Sequence, residues 1–121
     1  MAILYNNWGH AFSNPTPAQL AEAIRQLLAP DGQIASNADY REHPEAWIEA
    51  LDIRKRLWAV TASRNGYLHL TVYSDADMET ELLAVSRENA AANEIASAWN
   101  ALLEQNLTAL LRIFNARGIF P

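Results

Sequence analysis

Asn65-Gly66 stands between two runs of β-branched and aromatic residues, in LWAVTASRNGYLHLTVYS at positions 57–74. That dipeptide between extended runs is the preferred two-residue hairpin turn, because both residues tolerate the left-handed backbone it requires. With those two residues as the loop, Arg64 faces Tyr67 and the side chains sort into two faces. Leu57, Ala59, Thr61, Leu68, Leu70 and Val72 form one, a plain core face. Trp58, Val60, Ala62, Tyr67, His69, Thr71 and Tyr73 form the other. This second face is aromatic, and either a helix or a partner must cover it.

A hairpin needs further strands and helices to bury its faces. Residues 2–8, AILYNNW, are short and apolar enough for a strand, and residues 79–86, ETELLAVS, suit a third antiparallel one. Thr16, Pro17 and Gln19 have the spacing of a capping box with proline in the first turn. Leu20, Ile24, Leu27 and Leu28 then recur at helical period until Pro30-Asp31-Gly32. The segment 44–55, PEAWIEALDIRK, reads as a second helix, with Arg54 and Lys55 at its C-terminal end where the dipole favours cations, though WIEALDI also suits an extended strand. From about Asn89 to Ala116 the apolar period supports one long helix closed by Gly118, with Trp99 and Leu102 on its apolar stripe and Asn106 near the middle of it. A helix of about 28 residues spans about 42 Å, against a diameter of about 35 Å for a compact chain of this size. Either the helix breaks, or one end overhangs; an overhang would suit a homodimer through the C-terminal helix, with Asn106 fixing register rather than marking a satisfied core asparagine or a local helix bend. The expected fold is therefore a single α+β domain over 1–121. It has an antiparallel sheet of three to four strands, packed by two shorter helices and the long one.

Composition removes several functions. Acids outnumber bases 14 to 9 and the net charge is −5, which disfavours a phosphate-tracking nucleic-acid binder. There is no cysteine, so disulfides, thiolate nucleophiles and cysteine-based zinc sites are excluded. No basic, apolar leader opens the chain and no run is long enough for a membrane span, so it reads as cytoplasmic. Nor does it carry a phosphate-binding or dinucleotide glycine pattern or a nucleophile elbow, and no cofactor is expected.

The remaining polar features each have two readings. His10, His43 and His69 are far apart and lack metal-ligand spacing; His10 and His43 suit a loop and a helix entry. A small hydrolase would instead use His10 or His69 with a carboxylate from the 75–81 segment. Asp75, Asp77, Glu79 and Glu81 alternate, which in extended chain sets four carboxylates on one side. The calcium-loop spacing is missing, so no metal is expected. The row is either a solvated edge that blocks strand aggregation or an acidic stripe that docks on a basic partner. Arg54-Lys55-Arg56 is too short for a nucleic-acid patch.

The segment NPTPAQLAEAIRQLL, followed by the hairpin at 57–74, resembles immunity proteins of bacterial polymorphic toxins. The resemblance implies a stoichiometric inhibitor that shields a toxin's active site. Trp58, Tyr67, His69 and Tyr73 would then anchor the partner, and Asp75, Asp77, Glu79 and Glu81 would complement a basic cleft.

Overall fold

Six strands alternate inward and outward side chains along one antiparallel sheet, and that alternation decides which face the helices cover. A computed structural model describes residues 2–28 and 45–116. The strands are β1 Ala2–Tyr5, β2 Ala11–Ser13, β3 Glu45–Leu51, β4 Leu57–Ser63, β5 Leu68–Tyr73 and β6 Glu81–Arg87. The helices are α1 Pro17–Leu27, α2 Ala92–Leu103 and α3 Leu107–Ile113. The sheet order is β2-β1-β3-β4-β5-β6, every neighbouring pair antiparallel. The class is α+β as expected, but with six strands among the described residues rather than three to four.

The segment expected as a helix at 44–55 is the strand β3, and Pro44 lies outside the described residues. Ala46, Ile48 and Ala50 point to the core, while Glu45, Trp47, Glu49 and Leu51 point away. β1 and β4 flank β3 on both sides. A helix there would leave both neighbours without backbone partners, so tertiary pairing overrides a sequence that fits either period.

The hairpin forms, but one residue out of the expected register. Ala62 pairs with Leu68 and Val60 with Leu70, so the loop has three residues, Arg64, Asn65 and Gly66. Gly66 N–H donates to Ser63 C=O at 3.1 Å, and Gly66 alone of the three takes a left-handed φ, of 89°. This is the type I turn with a left-handed glycine that closes three-residue hairpins. The shift re-sorts β5 against β4. Trp58, Val60, Ala62, Leu68, Leu70 and Val72 now share the core face, all essentially inaccessible. His69 and Tyr73 fall on the opposite face, across from Thr61 and Leu57.

α1 starts as expected: Thr16 Oγ1 accepts from Gln19 N–H at 3.2 Å and Gln19 Oε1 from Thr16 N–H at 2.9 Å. β1 stops at Tyr5, short of Trp8, because Asn6 Oδ1 accepts the N–H groups of Trp8 and His10, each at 3.0 Å, and turns the chain. Leu20, Ile24 and Leu27 of α1 and Ile95, Trp99 and Leu102 of α2 join Leu4, Ile48, Val60 and Leu70 in one core cluster. Trp99 Nε1 donates to Val60 C=O at 3.1 Å, fastening α2 to β4.

The long C-terminal helix is two helices. Asn106 N–H donates to Ala101 C=O at 2.8 Å and Gln105 N–H to Leu102 C=O at 3.0 Å, a Schellman stop with Gln105 at φ 58°. Asn106 is exposed and caps α3 by accepting from Ala109 N–H, so it is no buried register key. α3 ends in a second such stop at Asn115, φ 55°; Gly118 lies outside the described residues. The break removes the overhang on which a helix-mediated dimer rested. Glutamine carries strain in that conformation that glycine does not. Gln105→Gly should therefore raise stability by about 0.5–1 kcal/mol, read as a higher melting temperature; a lower one would show that the helix break is held by something other than this turn.

Candidate functional site

Because the core cluster gathers only one side of the sheet, the other side has no described helix over it. One row on it crosses β1, β3, β4, β5 and β6 through the paired positions Tyr5, Trp47, Thr61, His69 and Ser86. Tyr5 and Trp47 stack with ring centroids 4.8 Å apart and planes 21° from parallel. At the far end of the row His69 Nδ1 and Ser86 Oγ share a hydrogen bond. The row runs from aromatic to polar, and its rings are half-buried rather than covered.

Beside this row, Ile3, Glu49, Ala50, Leu51, Leu57 and Ala76 line an apolar groove of about 240 Å³. Ala76 belongs to the β5–β6 loop, so the groove opens next to the acidic segment. That loop is closed by Ser74 N–H donating to Thr80 C=O at 2.9 Å. Asp75 Oδ1 accepts from Asp77 N–H at 2.9 Å, and Met78 takes a left-handed φ. Asp75, Asp77 and Glu79 are thus exposed on a turn, and only Glu81 lies in a strand. The row expected to alternate along one side is a charged loop instead, because the turn interrupts the period of two.

The expected anchors separate. Trp58 is in the core at 1% exposure, its indole N–H donated to Asp52 Oδ2 at 2.9 Å. Tyr67 is 48% exposed beside the hairpin loop, and its hydroxyl donates to Glu88 at 3.1 Å, which raises the phenol pKa. His69 and Tyr73 lie on the face with no described helix over it. Tyr5 and Trp47 also lie on this face; a helix over 44–55 hides Trp47, and without that neighbour nothing singles out Tyr5 in the first strand. The signal was present: in EAWIEAL the small or aliphatic inward residues alternate with Trp47, Glu49 and Leu51.

The hydrolase alternative asks for a histidine within reach of an acid in a pocket. His69 bonds Ser86, His10 is exposed in the β1–β2 turn, and His43 lies outside the described residues. Among the described residues no carboxylate pairs with His10 or His69. No group of three or more metal-ligating side chains occurs among them either. No described helix is long and apolar enough to cross a membrane. Comparison with known proteins matches no family model, no curated protein and no solved structure. A row that opens on a Tyr–Trp stack, an apolar groove beside it and an exposed acidic loop that reaches the groove at Ala76 are chemically suited to meeting another surface.

Proposed function

We propose that this chain is a non-enzymatic immunity protein that neutralises a bacterial toxin by stoichiometric binding through the face of its sheet opposite the core. The observation that carries this reading is the half-buried Tyr5–Trp47 stack on that face. Tyrosine and tryptophan are the residues that most often dominate protein interfaces, in partly desolvated central positions. The groove beside them offers a socket for an apolar side chain, and His69 and Tyr73 extend the anchor set. The loop acids, with Glu49 on the groove wall, favour a partner with a basic surface, the polarity of a nuclease cleft.

Capture of a partner encoded beside this chain, toxic when expressed alone and harmless when co-expressed with it, tests the proposal. A neighbouring product without toxicity, or toxicity that co-expression does not relieve, overturns it. The loop acids act mainly on encounter. Asp75→Asn, Asp77→Asn and Glu79→Gln together should slow association by about tenfold at low salt, and the effect should shrink as salt screens the charges. Stopped-flow binding reads this directly; an unchanged on-rate removes the loop from the interface.

A further inference from the structure

Charge is divided unequally between the two sides of the sheet. Arg87 is the only lysine or arginine in any of the six described strands, and it pairs across from Leu68, on the helix side, where Glu94 of α2 holds it. The strands offer only acids to the other side: Glu45 and Glu49, which point away from the core, and Glu81 across from Tyr73. Glu49 differs from the other two in being half-buried. Its carboxylate has no ion-pair or hydrogen-bond partner among the described residues. An opposite charge at a cross-strand position would stabilise it, but those positions are Ile3 and Ala59. Along β3 its neighbours on the same face are Trp47 and Leu51, each about 7 Å away.

An unpaired carboxylate in an apolar frame restricts what can occupy it. The groove that Glu49 lines with Ile3, Leu51, Leu57 and Ala76 holds about 240 Å³. That is below the about 300–1,000 Å³ of small-molecule sites, and it suits one side chain of a larger partner. A second copy docked face to face would set acids against acids, and a phosphate backbone is repelled for the same reason. An apolar stem fills the groove, but a side chain apolar to its tip would leave Glu49 desolvated and unpaired. A long stem that ends in a cation satisfies both. A guanidinium fits better than an ammonium: it is more weakly hydrated, donates two parallel bonds to a carboxylate and stacks on aromatic rings such as Trp47. We propose that Glu49 is the specificity-determining residue of this face and receives an arginine side chain of the partner. Its stem lies in the groove and its guanidinium on the Glu49 carboxylate beside Trp47. This rests on the reading that a partner docks on this face, and it names the side chain by which that partner is chosen.

A short peptide tests this without the natural partner. The probe is a capped tripeptide with arginine between two leucines, titrated into the isotope-labelled chain and followed by NMR through backbone amide and indole signals. It should saturate with a dissociation constant of about 1 mM, the range for a small ligand held by one side chain. The shifted signals should centre on Ile3, Trp47, Glu49 and Leu51. Citrulline in place of the arginine keeps the shape and removes the charge, and it should weaken binding by about tenfold, as should Glu49→Gln. Glu45→Gln makes the same charge change about 13 Å along the strand, beyond a Debye length at physiological salt, and should leave the affinity within about twofold. Absence of saturation overturns the proposal. So does equal affinity for the citrulline or lysine peptide, or full affinity in Glu49→Gln. Saturable, Glu49-dependent binding of the peptide in a chain that captures no toxin would sustain this proposal and overturn the immunity reading. A captured toxin whose affinity Glu49→Gln leaves within about threefold, the range of near-neutral contacts, would do the reverse.

Discussion

Replacing Asp52 with alanine is expected to cost about 3 kcal/mol of stability, the largest loss from any single polar residue outside the candidate site. Asp52 is 7% exposed at the end of β3 and accepts four hydrogen bonds. The donors are Arg54 N–H at 2.8 Å, Arg56 N–H at 3.0 Å, Arg56 Nε at 2.6 Å and Trp58 Nε1 at 2.9 Å. Truncation removes the carboxylate that accepts from the buried indole N–H and from Arg56 Nε and frees the β3–β4 turn, where Lys55 holds a left-handed φ of 63°. Arg56 also lies over the Trp58 ring at 5.9 Å, so the loss reaches the core tryptophan. Chemical denaturation of Asp52→Ala beside the wild type measures it. A change under about 0.5 kcal/mol, the ordinary surface value, would show that the network does not stabilise the fold.

The same carboxylate sets an acid dependence. Burial is the largest influence on it and pushes its pKa up, but Trp58, Arg56 and Arg54 donate to the charged form and together hold it below the usual value. A depressed pKa contributes stability that is complete above the unfolded value, about 3.9. That stability is lost as pH falls through the lower folded value. Below about pH 4 the wild type should therefore lose stability more steeply than Asp52→Asn. Parallel slopes would contradict the assignment.

Trp47→Ala combined with Tyr5→Ala should weaken toxin binding by about 100-fold, the effect of removing an aromatic anchor. Both rings are half-buried and stacked on the side opposite the core, so the fold should lose only about 1 kcal/mol from the pair itself. This split separates an interface role from a structural one. Substitutions in the core, such as Trp58→Ala, would lower both together. Equilibrium titration with the captured partner, alongside a thermal melt of the variant, reads the two quantities independently. An affinity within about threefold of wild type would remove the stack from the interface, since that corresponds to the near-neutral contacts that surround hot spots.

Local chemistry was legible where one residue type has one use. Thr16 and Gln19 announced the start of α1, and Asn65-Gly66 announced a hairpin. Its register was not legible, because Asn65-Gly66 serves both a two-residue loop and the three-residue loop adopted here, and one residue of slip exchanges faces. That slip carried Trp58 from a supposed anchor into the core. The strand β3 was hidden because EAWIEAL satisfies both periods, and the sheet on either side of it chose. With β3 went Trp47, half of the ring stack in the candidate site. The helix break at Gln105 was hidden for a different reason: the stop is backbone geometry occupied by a residue that does not advertise it. A turn built on Asp75 likewise broke the alternation that suggested a carboxylate stripe.

The central claim is that a partner sits on the sheet face carrying Tyr5 and Trp47. Hydroxyl-radical footprinting with and without the captured toxin tests it most directly, because the reactive rings report their own exposure. Trp47 and Tyr5 should be labelled in the free chain and protected in the complex. Trp58 and Trp99, both in the core, should stay unlabelled in each. Equal labelling of Trp47 and Tyr5 with and without toxin, or protection confined to the exposed sides of α1 and α2, would contradict the account.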